Sequence, residues 1–175
     1  CLQRMQLVEV YDTVLIPALA IAKTHWQLGE LSDRKYEFII HSLKELAEGY
    51  AEDQLAGRAP PTEIEALEGG KVAAPTNEAS RSRLSVMCLP ARTEADEITA
   101  SMLAQVLEPE DCAVELIPIS SLSADGYGMA GRPAADLVCV SATPPVAIMH
   151  ARHLCRNLRS RFPKVNIIVG LWDVQ

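Results

Sequence analysis

A chain of 175 residues, 49% hydrophobic and 22% charged, has the make-up of a globular protein able to bury a real core, which excludes intrinsic disorder. A net charge of −7 excludes a general nucleic-acid binder, which needs a basic footprint. No apolar run is long enough to span a bilayer and no signal peptide is read at the start, so the chain is expected to be soluble, and its start at Cys1 predicts a fragment of a longer parent.

In chain order, Leu7, Tyr11, Val14, Leu15, Ala18, Leu19 and Ala22 recur at helical spacing and predict one apolar face. Pro17 falls inside this run, where it either starts a second helix or kinks a continuous one. Gly29 is a natural stop and Ser32 a natural N-cap for a further helix, whose stripe is Tyr36, Ile39, Ile40, Leu43, Leu46, Ala47 and Tyr50. Residues 1–55 therefore predict two or three short antiparallel helices, a cap too small to stand alone. It is expected to dock over the carboxyl ends of the strands that follow, burying Trp26 or Tyr36 near the Pro90–Thr93 loop. Residues 56–83, with Pro60, Pro61, Gly69, Gly70 and Pro75, lose all periodicity and read as a linker with at most a helical turn around Ile64 to Leu67.

From residue 84 to 175 strands alternate with helices. Leu84 to Leu89, closed by Pro90, reads as a buried parallel strand. Thr93 and Asp96 have the spacing of a capping box, and Glu94 and Glu97 add negative charge at the positive end of a helix faced by Ile98, Met102, Val106 and Leu107. A second strand is expected over Ala113 to Ile119, a loop around Gly126, Gly128 and Gly131, a third strand over Leu137 to Ser141, a helix from Val146 to Arg161 and a fourth strand over Val165 to Leu171. The alternation predicts an α/β fold: a small helical cap followed by a doubly wound parallel sheet of four or five strands, whose fifth strand and helix are either missing or present only in the parent.

In such a sheet, ligands sit at the carboxyl ends of the strands, which selects Pro90 to Thr93, Ser141 to Pro145 and Gly170 to Asp173. Arg92 in the first of these loops is a candidate anion holder, although an exposed loop arginine also needs no function. Acidic residues in a first helical turn more often serve the helix dipole than acid–base chemistry, and that reading is preferred for Glu94, Asp96 and Glu97. His150 and His153 are spaced for a metal but lack a third ligand nearby, so a solvated pair is expected and no metal site is assigned. Arg152, Arg156, Arg159, Arg161 and Lys164 form a basic patch open to anionic lipid or an acidic partner, if it is not simply a solvated face. The glycines at 126, 128 and 131 precede a strand, which is the wrong context for a dinucleotide turn, and Ser141 stands where a phosphorylatable aspartate would end the third strand of a receiver domain. The five cysteines show no C-x-x-C spacing, and Cys88 and Cys139, inside apolar runs, are expected as reduced, buried hydrophobes. No catalytic constellation is defined by spacing.

Two resemblances bear on function. Pro17, Ala18, Leu19, Trp26, Gly29 and Glu30 occur in the order found in the helical cap of cobalamin-binding modules, and the second half resembles their flavodoxin-like domain, with Ser141 after the third strand and Gly170 after the fourth. The family's Asp-x-His-x-x-Gly motif falls here on Glu94, Asp96 and Thr99, and the cap Glu-His pair of light-sensing members falls on Tyr36 and Glu37, so neither cobalt-holding signature is present. The phrases Tyr11-Asp12-Thr13-Val14-Leu15-Ile16-Pro17-Ala18-Leu19, Gly29-Glu30-Leu31, Cys88-Leu89-Pro90-Ala91-Arg92 and Glu94-Ala95-Asp96-Glu97 resemble the cytosolic C-terminal extension of bacterial PerM-type, autoinducer-exporter-like permeases. That resemblance implies a non-enzymatic regulatory or ligand-sensing domain at the cytoplasmic face of the bacterial inner membrane. Its partner would be the membrane-spanning part of its own parent, with an unidentified small ligand and self-association left open. Arg92, Thr93, Ser141, Trp26 and Tyr36 are the expected ligand-facing residues, with no cofactor assigned. A corrinoid carrier or sensor without a lower histidine ligand is the alternative, and an enzyme using Arg92, Glu94 and Asp96 on a small anion a third.

Overall fold

The computed structural model describes residues 7–56, 83–122 and 135–172; most of the expected linker, its turn at Ile64 to Leu67, the three loop glycines and Asp173 lie outside them. The fold is α/β: a helical hairpin beside a four-stranded parallel sheet that carries one helix on each face.

The first helical stretch is continuous from residue 7 to Gln27, with a π turn over Tyr11–Leu15 running directly into helix α1 (Ile16–Gln27). The π turn lies just before Pro17, where a regular ladder would lose one donor and crowd the ring against an earlier carbonyl, so Pro17 is accommodated inside a continuous helix. The extra residue in that turn rotates what precedes it, and Val14, expected on the apolar face, is 54% exposed while Tyr11, Leu15 and Leu19 are buried. Gly29, at φ +76°, ends the hairpin turn in the left-handed region that glycine adopts without strain. Helix α2 (Asp33–Ala56) follows Ser32, whose carbonyl accepts from the Tyr36 amide at 3.0 Å. Its buried seam is Tyr36, Ile40, Leu43 and Ala47, narrower than expected, and Leu46 and Tyr50 fall outside it on the exposed side.

Strands β1 (Leu84–Pro90), β2 (Cys112–Leu116), β3 (Leu137–Ala142) and β4 (Asn166–Leu171) stand in the order β2-β1-β3-β4. Helix α3 (Glu94–Leu107) follows β1 and helix α4 (Ala147–Arg161) follows β3. The second strand stops at Leu116, short of Ile119, because Pro118 has no amide for a ladder and a 3-10 turn begins at Ile119. Cys88 lies opposite Cys139, and Cys139 opposite Ile168, in register. The period of two divides the strands: Met87, Leu89, Val138, Val140 and Ala142 pack under Ala147, Ala151, Leu154 and Leu158 of α4, whereas Val86, Cys88 and Cys139 meet Ala100 and Ala104 of α3. Burial pushes the Cys88 thiol up to about 12, so it stays protonated as an inert core residue.

The cap does not sit squarely over the strand ends. It lies along α3: Leu7, Tyr11, Leu15, Leu19, Ile40, Leu43 and Ala47 share one apolar cluster with Ala95, Ile98 and Met102. This flank is preferred because α3 presents a second apolar stripe outward, and each aliphatic side chain buried there contributes about 1.5–3 kcal/mol. Tyr11 fastens the seam by donating its hydroxyl to Gln105 Oε1 on α3 and lies within 3.3 Å of the Ala47 carbonyl. The last turns of α1 reach the loop after β3, at the carboxyl ends of the strands.

Candidate functional site

That reach is made by Lys23. It occupies the buried side of α1, in line with Ile16, Leu19 and Ala20, and its side chain is fully inaccessible. The ammonium donates to the Thr143 carbonyl and to Thr143 Oγ1, each at 2.9 Å, and to Asp96 Oδ1 at 3.3 Å, so its three protons meet three acceptors. Asp96 is equally engaged. Its Oδ1 also accepts from the Thr143 amide at 2.8 Å and the Thr143 hydroxyl at 2.6 Å, while Oδ2 accepts from the amides of Thr93 at 2.8 Å and Arg92 at 3.0 Å.

The local sequence explains the arrangement. Thr93 caps α3 in an extended conformation and completes a capping box with Asp96, as the spacing predicts. A capping aspartate uses one oxygen on its own helix start, and here the second oxygen is left to face the loop after β3 and the cap. Burial alone pushes the Asp96 carboxyl up, but the Lys23 ammonium and the donors from Thr143 and Thr93 outweigh it and hold the group below its ordinary 3.8. Burial pushes the Lys23 ammonium below the usual lysine range, and Asp96 pulls it partly back.

Around this network the strand ends are filled by the chain's own side chains. Trp172 donates its backbone amide to the Ala142 carbonyl at 3.0 Å and packs against the cap cluster. Its indole lies so close to Gly170 that a Cβ there would stand 2.6 Å from Cζ2. Ser141, in register with Gly170, is fully buried. Neither Ser141 Oγ nor Trp172 Nε1 has a hydrogen-bond partner among the described residues, and the same holds for His150 Nδ1. Burial lowers the His150 pKa, opposed by Asp96 and helped by Lys23, Arg92 and His153.

The residues expected to face a ligand are thus dispersed. Thr93 is a helix cap, Ser141 is sealed, and Arg92 turns to solvent with only its backbone in the network. Tyr36 is buried, its hydroxyl pushed up to about 12 by burial and by the nearby charges of Glu94 and Asp96, which places it beside the start of α3. Trp26 is 37% exposed: it stacks on Tyr36 with ring centroids 4.6 Å apart and donates to Asp33 Oδ1 at 2.8 Å. Glu97 serves structure, accepting from the Ile119 amide at 3.3 Å. Asp96, read from sequence as a dipole-complementing residue, is the centre of the site, and Lys23 was missed. The signal for Lys23 was available: it is the one charged residue in the buried row Ile16, Leu19, Ala20, Lys23.

A cobalt lower ligand does not fit here. Asp96, onto which the resemblance to cobalamin modules would place a ligating histidine, has both oxygens engaged by protein donors. No group of three metal-ligating side chains occurs among the described residues. Comparison with family models, with curated proteins and with solved structures finds no match to this chain.

Proposed function

We propose that this chain is a non-enzymatic regulatory domain, the cytosolic part of a membrane permease of the PerM type, in which the cap and the α/β half act as one latched unit. The observation that supports the reading is the Lys23–Asp96–Thr143 network: a ligand crevice by position, satisfied from within by an amine of the cap. A titratable pair used in catalysis has to reach a substrate, and these groups have every donor and acceptor occupied and no exposure. Among the described residues no helix is long and apolar enough to cross a membrane.

Two measurements test this reading. The reading frame upstream of Cys1 should encode a run of apolar membrane-spanning segments; a soluble catalytic domain there would overturn it. With an amine-acetylating reagent, Lys23 should stay unmodified in the folded chain while Lys35 and Lys44 on exposed α2 positions react. Equal reactivity would show that the cap is not latched.

A corrinoid carrier without a lower histidine is the second reading, favoured by one observation: Ser141 Oγ and Trp172 Nε1 are buried without partners beside the unsubstituted Gly170. If Trp172 swung aside, Gly170 and the Ser141 beside it in register would border the space that the indole leaves. A visible-range spectrum of the chain passed through gel filtration with hydroxocobalamin separates the two: a colourless protein supports the latched domain, a stoichiometric pink complex the carrier.

A further inference from the structure

The outer face of α4 differs in chemistry from the rest of the chain. Residues 137–172 contain Arg152, Arg156, Arg159, Arg161 and Lys164 and no aspartate or glutamate, whereas residues 84–122 set seven acidic residues against Arg92 alone. The residues that α4 buries, Ala147, Ala151, Leu154 and Leu158, lie on one side of the helix. By the helical period, Met149, Arg152 and Arg156 run along the opposite side, with Ile148 and Arg159 on its flank, and all five are exposed. Ile148 and Met149 are each 62% exposed, at the end nearest the strand carboxyl termini. Arg152 and Arg156 have no carboxylate partner among the described residues. Arg159 donates to the carbonyls of Pro163 at 3.0 Å and Val165 at 2.7 Å, which fixes the turn carrying Lys164. Asp136 lines a recess with Arg161 and Lys164 at the far end of the helix.

We propose that this face of α4 docks on an anionic phospholipid surface. A row of guanidiniums without carboxylate partners along a convex helix matches a plane of phosphates. The two apolar side chains beside the arginines are the second half of an interfacial helix: the cations meet headgroups while Ile148 and Met149 enter the acyl boundary. The helix that carries the acidic run, α3, packs on the other face of the sheet from α4. The inference does not depend on the permease reading, since the face has this chemistry whatever the parent is.

Cosedimentation with vesicles tests it. The chain should bind vesicles of phosphatidylglycerol and phosphatidylcholine in equal parts, ignore phosphatidylcholine alone, and lose binding as salt is raised. Each arginine at such a surface strengthens binding about fivefold, so Arg152→Glu with Arg156→Glu should weaken it more than about twentyfold. Met149→Ser should cause a smaller loss, and Lys35→Glu on the cap no change. Unchanged melting temperatures will show that the variants fold. Failure to bind anionic vesicles at low salt, or an equal loss with Lys35→Glu, overturns the proposal. So does binding to soluble polyglutamate through Arg152 and Arg156 without binding to vesicles, which would replace the lipid by an acidic protein.

Discussion

The two sides of the sheet are treated differently. On the α3 side a second layer of helices covers α3, and even the charged groups there, Lys23 and Asp96, are sealed with full complements of partners. On the α4 side one helix among the described residues covers parts of β1, β3 and β4, its outer face carries arginines without carboxylate partners, and β4 leaves Val169 and Leu171 more than a third exposed. The first side holds a buried ion pair inside it, and the second carries a row of arginines without carboxylate partners on its surface. Stability should therefore be concentrated at the cap interface and interaction at the α4 face, a contrast that substitutions can break.

The largest effect is expected at the latch. Lys23→Ala leaves the Asp96 carboxylate buried opposite an empty space, and the loss in a urea titration should be about 3–5 kcal/mol. Lys23→Met combined with Asp96→Asn should recover part of it, because the uncompensated charge is removed from both sides. Acid should act through the same group. Asp96 is held below its ordinary 3.8, so its contribution is in full force above that value and is lost as pH falls through the lower folded value. An acid-unfolding profile of Asp96→Asn that is as steep as that of the parent would contradict this.

A middle-sized effect is expected where Trp172 lies against Gly170. Gly170→Ala puts a methyl 2.6 Å from the indole and should displace it from the cap cluster, at a cost of about 1–3 kcal/mol by urea titration. The smallest effects are expected at exposed positions. Arg92→Ala, at the edge of the network, and Ile168→Lys, on the free strand, should each change stability by less than about 0.5 kcal/mol. A strong loss with Arg92→Ala would make its guanidinium part of the latch and erase the contrast between sealed core and solvent-facing loop.

The fold was legible because its signals are local. Alternation of apolar runs with helical stripes, the Thr93–Asp96 spacing and the stop at Gly29 each act within a few residues, and each appears in the structure. The π turn ahead of Pro17 was half legible: the sequence showed a disturbance there, but how the backbone absorbs a missing donor depends on what the helix packs against. The site was less legible. The capping half of Asp96 follows from spacing, while the other half depends on Lys23 and Thr143, brought together only by the docked cap. The strand-end rule points to the loops that hold the network, in which Arg92 takes part through its backbone amide while the buried Ser141 hydroxyl stands beside it without a partner.

The latch also has a consequence in time. Lys23 meets Asp96 and Thr143 across 73 and 120 intervening steps of the chain. The two acceptors are held by β1 paired with β3 and by the start of α3, so the amine is expected to close onto that frame late in folding. Contacts made after the rate-limiting step leave the folding rate nearly unchanged and appear in the unfolding rate instead. Substitution of Lys23 should therefore shorten the life of the closed domain without slowing its assembly: the buried amine sets how long the cap stays down.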